Sequence, residues 1–198
     1  MAITYNLYTL LKEELGNGSS DLVTRPTGQA IRERIERDIE KEDDGTVIAL
    51  DFSKIGIVDY SCADEIAAKL ISRLLSGEYG DRHIVLTGLS ENQKENIEVA
   101  LERKELAVMG RMRRQPPLNP PLLRGTKGVV IGSLNKYLSD TLELILKKGK
   151  ITAKELSYKM RLEPNASGMR LLNLHKKRLV KRVEKTADGG KVWSYERI

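Results

Sequence analysis

The stretch Thr46–Leu75, TVIALDFSKIGIVDYSCADEIAAKLISRLL, constrains the fold of this 198-residue chain more than any other. Val47, Ile48, Ala49 and Leu50 form a short apolar run with β-branched residues that ends at Asp51, which reads as a buried strand. A loop leads to Val58-Asp59-Tyr60-Ser61-Cys62, which opens a helix carrying Ile66, Leu70 and Leu74, with Ala67 and Ile71, at helical spacing. Ser61 is thereby expected on a strand-to-helix turn, its hydroxyl at the positive end of a helix dipole, where a phosphoryl group can be placed or read.

The flanking sequence repeats this alternation. Tyr5–Leu15 reads as a short amphipathic helix with Leu7, Leu10 and Leu11 on one face, ending at Gly16. Thr27–Lys41 is a stronger helix with Ile31, Ile35 and Ile39 inward; its charged residues Arg32, Glu33, Arg34, Glu36, Arg37 and Asp38 are expected to be a solvated face laced with i,i+4 pairs. Arg82–Thr87 is a second apolar strand. Ser90-x-x-Gln93 is a capping box for a helix through Lys104, and Leu106-Ala107-Val108 reads as a last strand. Short apolar strands alternating with helices imply an α/β layer with mainly parallel pairing.

On these residues, LDFSKIGIVDYSCADEIAAKL resembles the STAS fold of anti-sigma-factor antagonists and their STAS-like relatives, which share a strand-Asp-x-Ser-helix order. Asp59-Tyr60-Ser61 matches that order, with Cys62 where the family usually carries glycine. The resemblance covers residues 20–110. It implies Ser61 as a phosphosite, a partner surface formed by Asp59, Tyr60, Ser61, Cys62 and Asp64, and a histidine-kinase-like ATPase or anti-sigma protein as partner.

Each of these residues also has a plainer role. Ser61 suits a helix N-cap, its hydroxyl accepting a backbone N–H near Asp64. A phosphate there would add about −1.5 to −2 charges beside Asp59, Asp64 and Glu65 and would disrupt a partner surface. Cys62 at a helix start could be a reactive thiol, but its acidic neighbours oppose a thiolate, and a small semi-buried residue is the better reading. The carboxylates Asp51, Asp59, Asp64 and Glu65 could form a metal or acid–base cluster, yet a strand end and a turn are ordinary places for aspartate.

Charge divides the chain. Residues 1–110 hold 13 Lys/Arg against 21 Asp/Glu, a net of −8, whereas residues 129–198 hold 16 against 7, a net of +9. Between them, Gln115-Pro116-Pro117-Leu118-Asn119-Pro120-Pro121-Leu122 breaks every periodicity and reads as a semi-rigid, polyproline-like spacer. The last 60 residues have a different pattern: a helix capped by Ser139 with Leu142, Ile145 and Leu146 inward, a capping box at Thr152-x-x-Glu155, and a third helix opened by Pro164-Asn165. A β-hairpin around Asp188-Gly189-Gly190 follows. Three helices followed by a hairpin resemble a winged helix-turn-helix.

The expected fold is an α/β STAS-like N-terminal domain, with a mixed, mainly parallel sheet and helices, plus a C-terminal α+β winged helix. The boundaries are 1–19 for an N-terminal amphipathic helix, 20–110 for the STAS-like domain, 111–128 for a Pro-rich basic linker and 129–198 for the winged helix. A basic module of this kind is a candidate for duplex DNA. Arg170 and Asn173 would read base edges, and Lys176, Lys177, Lys181, Arg182, Lys185 and Lys191 would follow a phosphate path. His175 is expected to be a packing or solvent residue.

One cysteine fits a reducing compartment, and with two histidines it leaves little for a zinc site. No apolar stretch is long enough for a membrane span, and no basic-then-apolar leader opens the chain, so a soluble cytoplasmic protein is expected. The sequence therefore points to a non-enzymatic bacterial regulator without cofactor or metal, coupling a partner-binding domain to a DNA-binding one. Its rivals are an adaptor whose winged helix binds protein and an enzyme using the Asp59/Ser61/Cys62 loop.

Overall fold

The computed structural model describes residues 2–16, 18–113, 128–187 and 190–198, with Lys185, Ala187 and Gly190 described by backbone alone. The proline-rich spacer and the hairpin tip at Asp188-Gly189 lie outside the described residues. The chain divides into two compact units, Met1–Ser133 and Leu134–Ile198.

The first unit is a five-stranded sheet in the order β1-β2-β3-β4-β5, built from β1 (Ala2–Asn6), β2 (Val47–Asp51), β3 (His83–Leu89), β4 (Ala107–Met112) and β5 (Val129–Gly132). The first four strands pair in parallel and β5 runs antiparallel to β4. The helices are α1 (Leu7–Leu15), α2 (Arg25–Ile39), α3 (Tyr60–Ala63), α4 (Leu70–Ser76) and α5 (Glu91–Glu102), with a π-helical stretch, Asp64–Lys69, filling the chain between α3 and α4. Ile48 and Leu50 of β2, Ile31, Ile35 and Ile39 of α2, and Ile66, Leu70 and Leu74 are all fully buried in one core, as their spacing predicts. The Ser90 capping box is present, with both reciprocal bonds to Gln93.

Two boundaries differ from the sequence reading. Residues 1–19 are not a separate helix: Ala2–Asn6 pairs with Val47–Asp51 as an edge strand, and the helix begins at Leu7, where the Asn6 side chain accepts the Thr9 N–H at 3.1 Å. At the other end, Val129–Gly132 belongs to the first unit, because the β-branched run pairs with β4 and buries Ile131 completely. The second unit therefore starts at Leu134 and not at 129.

The second unit contains α6 (Lys136–Lys148), β6 (Lys150–Thr152), α7 (Ala153–Met160), α8 (Pro164–Lys176), β7 (Val180–Ala187) and β8 (Gly190–Arg197). Its sheet is antiparallel in the order β6-β8-β7. Leu138, Leu142, Ile145, Ile151, Leu156, Leu171, Leu174, Leu179 and Val180 form its buried interior. The N-cap of α6 is Asn135, whose side chain accepts the Leu138 N–H, and not Ser139; the helix starts a turn earlier because Tyr137 and Leu138 extend its pattern. The Thr152–Glu155 capping box is formed, with Thr152 N donating to Glu155 Oε2 at 2.8 Å. No helix among the described residues is long and apolar enough to cross a membrane.

Candidate functional site

The turn into α3 is fixed by a short parallel bridge between Leu22 and Val58. Leu22 N donates to Ile57 O at 2.8 Å and Asp59 N to Leu22 O at 2.9 Å. Asp59 then caps the helix: its Oδ1 accepts the Cys62 N–H at 2.7 Å, while its Oδ2 accepts the Thr24 N–H at 2.8 Å. Both oxygens are thus occupied in holding two segments together. Ser61 is not the N-cap. It lies one residue inside the helix and is half-buried, because Asp59, an equally good capping residue, reaches the orphan N–H first. Thr24, the residue that Asp59 anchors, has φ +73°, unusual for a β-branched side chain and held by these bonds.

Cys62 is fully buried and cannot form part of a partner surface. Its Sγ lies 3.1 Å from Thr24 O, and Gly28 of α2 packs so closely that a Cβ there would come within 2.9 Å of the Cys62 Cα. Burial, reinforced by the Asp59 charge, pushes the thiol pKa up to about 12. Native Cys62 should therefore resist iodoacetamide at pH 8 and react fully in urea; rapid native labelling, followed by mass spectrometry, would show that the α2–α3 contact opens.

Asp64 is also interior, and an ionic network explains why. Its carboxylate meets Arg25 at 3.0 Å and Lys104 at 2.6 Å. Glu65, 1% exposed, accepts from Arg25 at 2.8 Å, Arg32 Nε at 3.2 Å and Lys69 at 2.5 Å. Arg32 continues to Glu36 at 2.6 Å, and Glu36 also receives Arg73 at 2.7 Å and the Tyr79 hydroxyl at 2.6 Å. The expected solvated face of α2 is thus only partly solvated: Arg34–Asp38 is an ordinary i,i+4 surface pair, but Arg32 is buried. The π-helical stretch begins with Asp64 and Glu65, two of the network's three acids, and widened turns of this kind recur at functional sites. Burial raises the pKa of Asp64, Glu65 and Glu36, but the hydrogen bonds from their basic and tyrosine partners outweigh it and hold each below its ordinary carboxylate value.

Three exposed apolar side chains lie around the turn. Ile57 is 59% exposed although its backbone is pinned by Asp21 and Leu22. Val23 flanks the bridge and is also exposed. On α5, Asn96 donates to Val58 O at 3.0 Å and Arg103 lies over the Tyr60 ring at 4.7 Å. Val99 is exposed between them on the same helical face. Sequence reasoning missed this patch, which depends on contacts more than 30 residues apart.

The cations of the two units are used differently. Through residue 110, only Lys12, Lys54 and Arg103 lack a carboxylate partner among the described residues, and Lys12 and Arg103 lie over tyrosine rings. In the second unit Lys136, Lys147, Lys148 and Lys191 are ion-paired, whereas Lys154, Lys159, Arg161, Lys176 and Lys177 have no acidic partner among the described residues. Opposite the buried Leu171 and Leu174, α8 presents Met169, 54% exposed, with half-buried Asn173 and exposed Lys176 on the same side.

Four expected DNA contacts are otherwise engaged. Arg170 is drawn onto the Tyr137 ring of α6, at 5.3 Å, and Lys191 pairs with Glu184 at 2.8 Å. Arg182 stacks on Trp193 at 3.8 Å, and Lys181 is half-buried with a partner of its own. The Lys185 side chain lies outside the described residues. His175 is half-buried, with Nδ1 3.4 Å from Val180 O.

Of the carboxylates read as a possible cluster, Asp64 and Glu65 share Arg25, while Asp51 and Asp59 are held apart from that network. Asp51 accepts from Asn6 and from the Ser53 backbone and hydroxyl, while Asp59, Asp64 and Glu65 have the partners given above. Among the described residues no group of three or more His, Cys, Asp or Glu could hold a metal ion. Compared with protein-family models, curated proteins and solved structures, the chain matches none of them.

Proposed function

We propose that the chain is a regulator in which a STAS-like, partner-binding α/β unit is joined to a winged-helix unit that binds duplex DNA. The observation that carries the DNA half is the contrast in cation use. Through residue 110 most described Lys and Arg are paired with carboxylates. Lys154 and Lys159 of α7 and Lys176 of α8 have no acidic partner among the described residues and are open to an external polyanion. The order helix, strand, helix, helix, strand, strand, with a β6-β8-β7 sheet, supports the winged-helix assignment. Asn173 and Lys176 of α8, with Lys177 at its C-cap, are the residues best placed for a groove. Binding of the full chain to a random-sequence duplex near about 50 mM salt is expected by fluorescence anisotropy. A chain that leaves the duplex free under those conditions sinks the DNA half and favours a protein adaptor.

For the first unit, the exposed Ile57, Val23 and Val99 beside Tyr60 and Ser61 support a protein partner, in keeping with the resemblance to anti-sigma-factor antagonists. The candidate partner surface is then Tyr60 and Ser61 with this apolar patch, while Asp59, Cys62 and Asp64 hold the turn from within. A phosphate on Ser61 would place charge beside apolar side chains and weaken that contact. Once a partner is isolated by co-purification, Ser61→Asp should lose binding while Ser61→Asn retains it. Neither variant should alter folding appreciably, since Asp59 supplies the cap. Equal binding of both variants would remove Ser61 from the regulatory account and leave the apolar patch to carry it.

A further inference from the structure

Two segments far apart in sequence clasp each other at the turn into α3, and one of them is strained. Residues 20–24, which lead into α2, run alongside residues 56–59. Gly56 N donates to Ser20 O at 2.9 Å, and the Asp21 carboxylate accepts the Ile57 N–H at 3.0 Å. The approach is so close that a Cβ on Gly56 would come within 2.4 Å of Asp21 Oδ1. The segment ends at Thr24, with φ +73° and ψ 143°, near a region of backbone space occupied essentially by glycine alone. Thr24 is exposed, so packing of its side chain does not impose this conformation, and its hydroxyl caps no N–H of α2. The Asp59 carboxylate holds it through the Thr24 N–H, and the Cys62 thiol lies against its carbonyl.

We infer that residues 20–24 are a strap that opens as a unit, with Thr24 as its strained hinge and Asp59 as its latch. Strain of this kind persists only where the surrounding bonds over-determine it, so loss of the Asp59 bond lets Thr24 relax. Of the strap's own side chains only Leu22 is buried. Opening therefore exposes little apolar surface and leaves the five-stranded sheet intact. It separates Val23, on the strap, from Ile57, on the segment that the strap clasps. Both are exposed apolar residues of the turn, so the open and closed forms present different surfaces. A protein that binds one form better shifts the balance between them. This last step rests on the partner-surface reading above; the strap itself does not.

The test is amide hydrogen exchange of the full chain at several urea concentrations below its unfolding transition. The amides of Leu22, Thr24, Gly56, Ile57 and Asp59, all bonded within the clasp, should exchange faster than those of β3. Their rates should change little with urea, because a local opening exposes little surface, whereas exchange in β3 should rise steeply. Asp59→Asn keeps one oxygen to cap α3 but turns an N–H donor toward the Thr24 N–H. Exchange in the strap should then accelerate at least tenfold. Thr24→Gly removes the strain and should slow that exchange about tenfold, despite the added freedom of glycine. Strap amides that share the rate and urea dependence of β3 would show that the segment opens only with the whole unit. An Asp59→Asn chain that exchanges like the parent has no latch, and a Thr24→Gly chain that exchanges faster has no stored strain. Each of these three results overturns the proposal. None of them bears on whether a protein docks at Tyr60 and Ser61, which the Ser61 variants test separately.

Discussion

Glu65→Ala should destabilise the first unit by about 3–5 kcal/mol, because removing one member of a buried ion-pair network leaves the others uncompensated. Glu65 is 1% exposed and joins Arg25, Arg32 and Lys69, and Arg32 carries the connection to Glu36, Arg73 and Tyr79. That loss is a large part of the stability of an ordinary domain. Glu65→Gln keeps the shape and should cost less than alanine, but still leaves Arg32 with a weakened partner. Urea denaturation followed by far-UV circular dichroism measures the change, and Trp193, the one tryptophan of the chain, reports the second unit separately by fluorescence. A cost under about 1 kcal/mol would mean the network behaves as an exposed pair.

The same network sets a pH dependence. The pKa values of Glu36, Asp64 and Glu65 are lowered on folding from 4.5, 3.8 and 4.5. Groups lowered in this way contribute fully above their unfolded values, and the contribution is lost as pH falls through the folded ones. The first unit should therefore weaken as pH drops below about 4.5, and Glu65→Gln should flatten that decline. A urea midpoint that stayed constant into that acid range would contradict the structure of the network.

Much of this fold was legible in local sequence. The apolar run Val47–Leu50, the isoleucine spacing of α2 and the two capping boxes depend on neighbours a few residues apart, and each fell where its pattern placed it. Elements defined by distant partners were not legible. Ala2–Asn6 becomes a strand only through β2, 45 residues on, and the three-residue β6 exists only against β8. The site divided along the same line. The Asp59–Ser61 turn was recognisable, but the choice between two good caps two residues apart was decided by Thr24, which draws Asp59 into place. Arg32 and Glu36 looked like surface charges because their partners Glu65 and Arg73 belong to another helical segment. Helical spacing could not reveal that Arg170, expected to read base edges, lies over the ring of Tyr137 on a different helix.

The second large effect concerns DNA. Lys176→Ala combined with Lys177→Ala should weaken duplex binding more than tenfold near about 100 mM salt, and reduce the salt slope by about 1.8, through the loss of two phosphate contacts. Asn173→Ala should act differently, lowering any preference for one sequence while leaving the salt slope unchanged. Asn173 and Lys176 lie on the side of α8 away from Leu171 and Leu174, and Lys177 is the half-buried C-cap residue after it, so the fold of the second unit should survive these substitutions.

The most direct measurement of the central claim is the affinity of the full chain for a random-sequence duplex as a function of salt. With Lys154, Lys159, Arg161, Lys176 and Lys177 open to phosphate, about three to five contacts predict a slope of log affinity against log salt between about −2.7 and −4.5. A slope near zero, or no binding at about 50 mM salt, would contradict the assignment of the second unit to DNA.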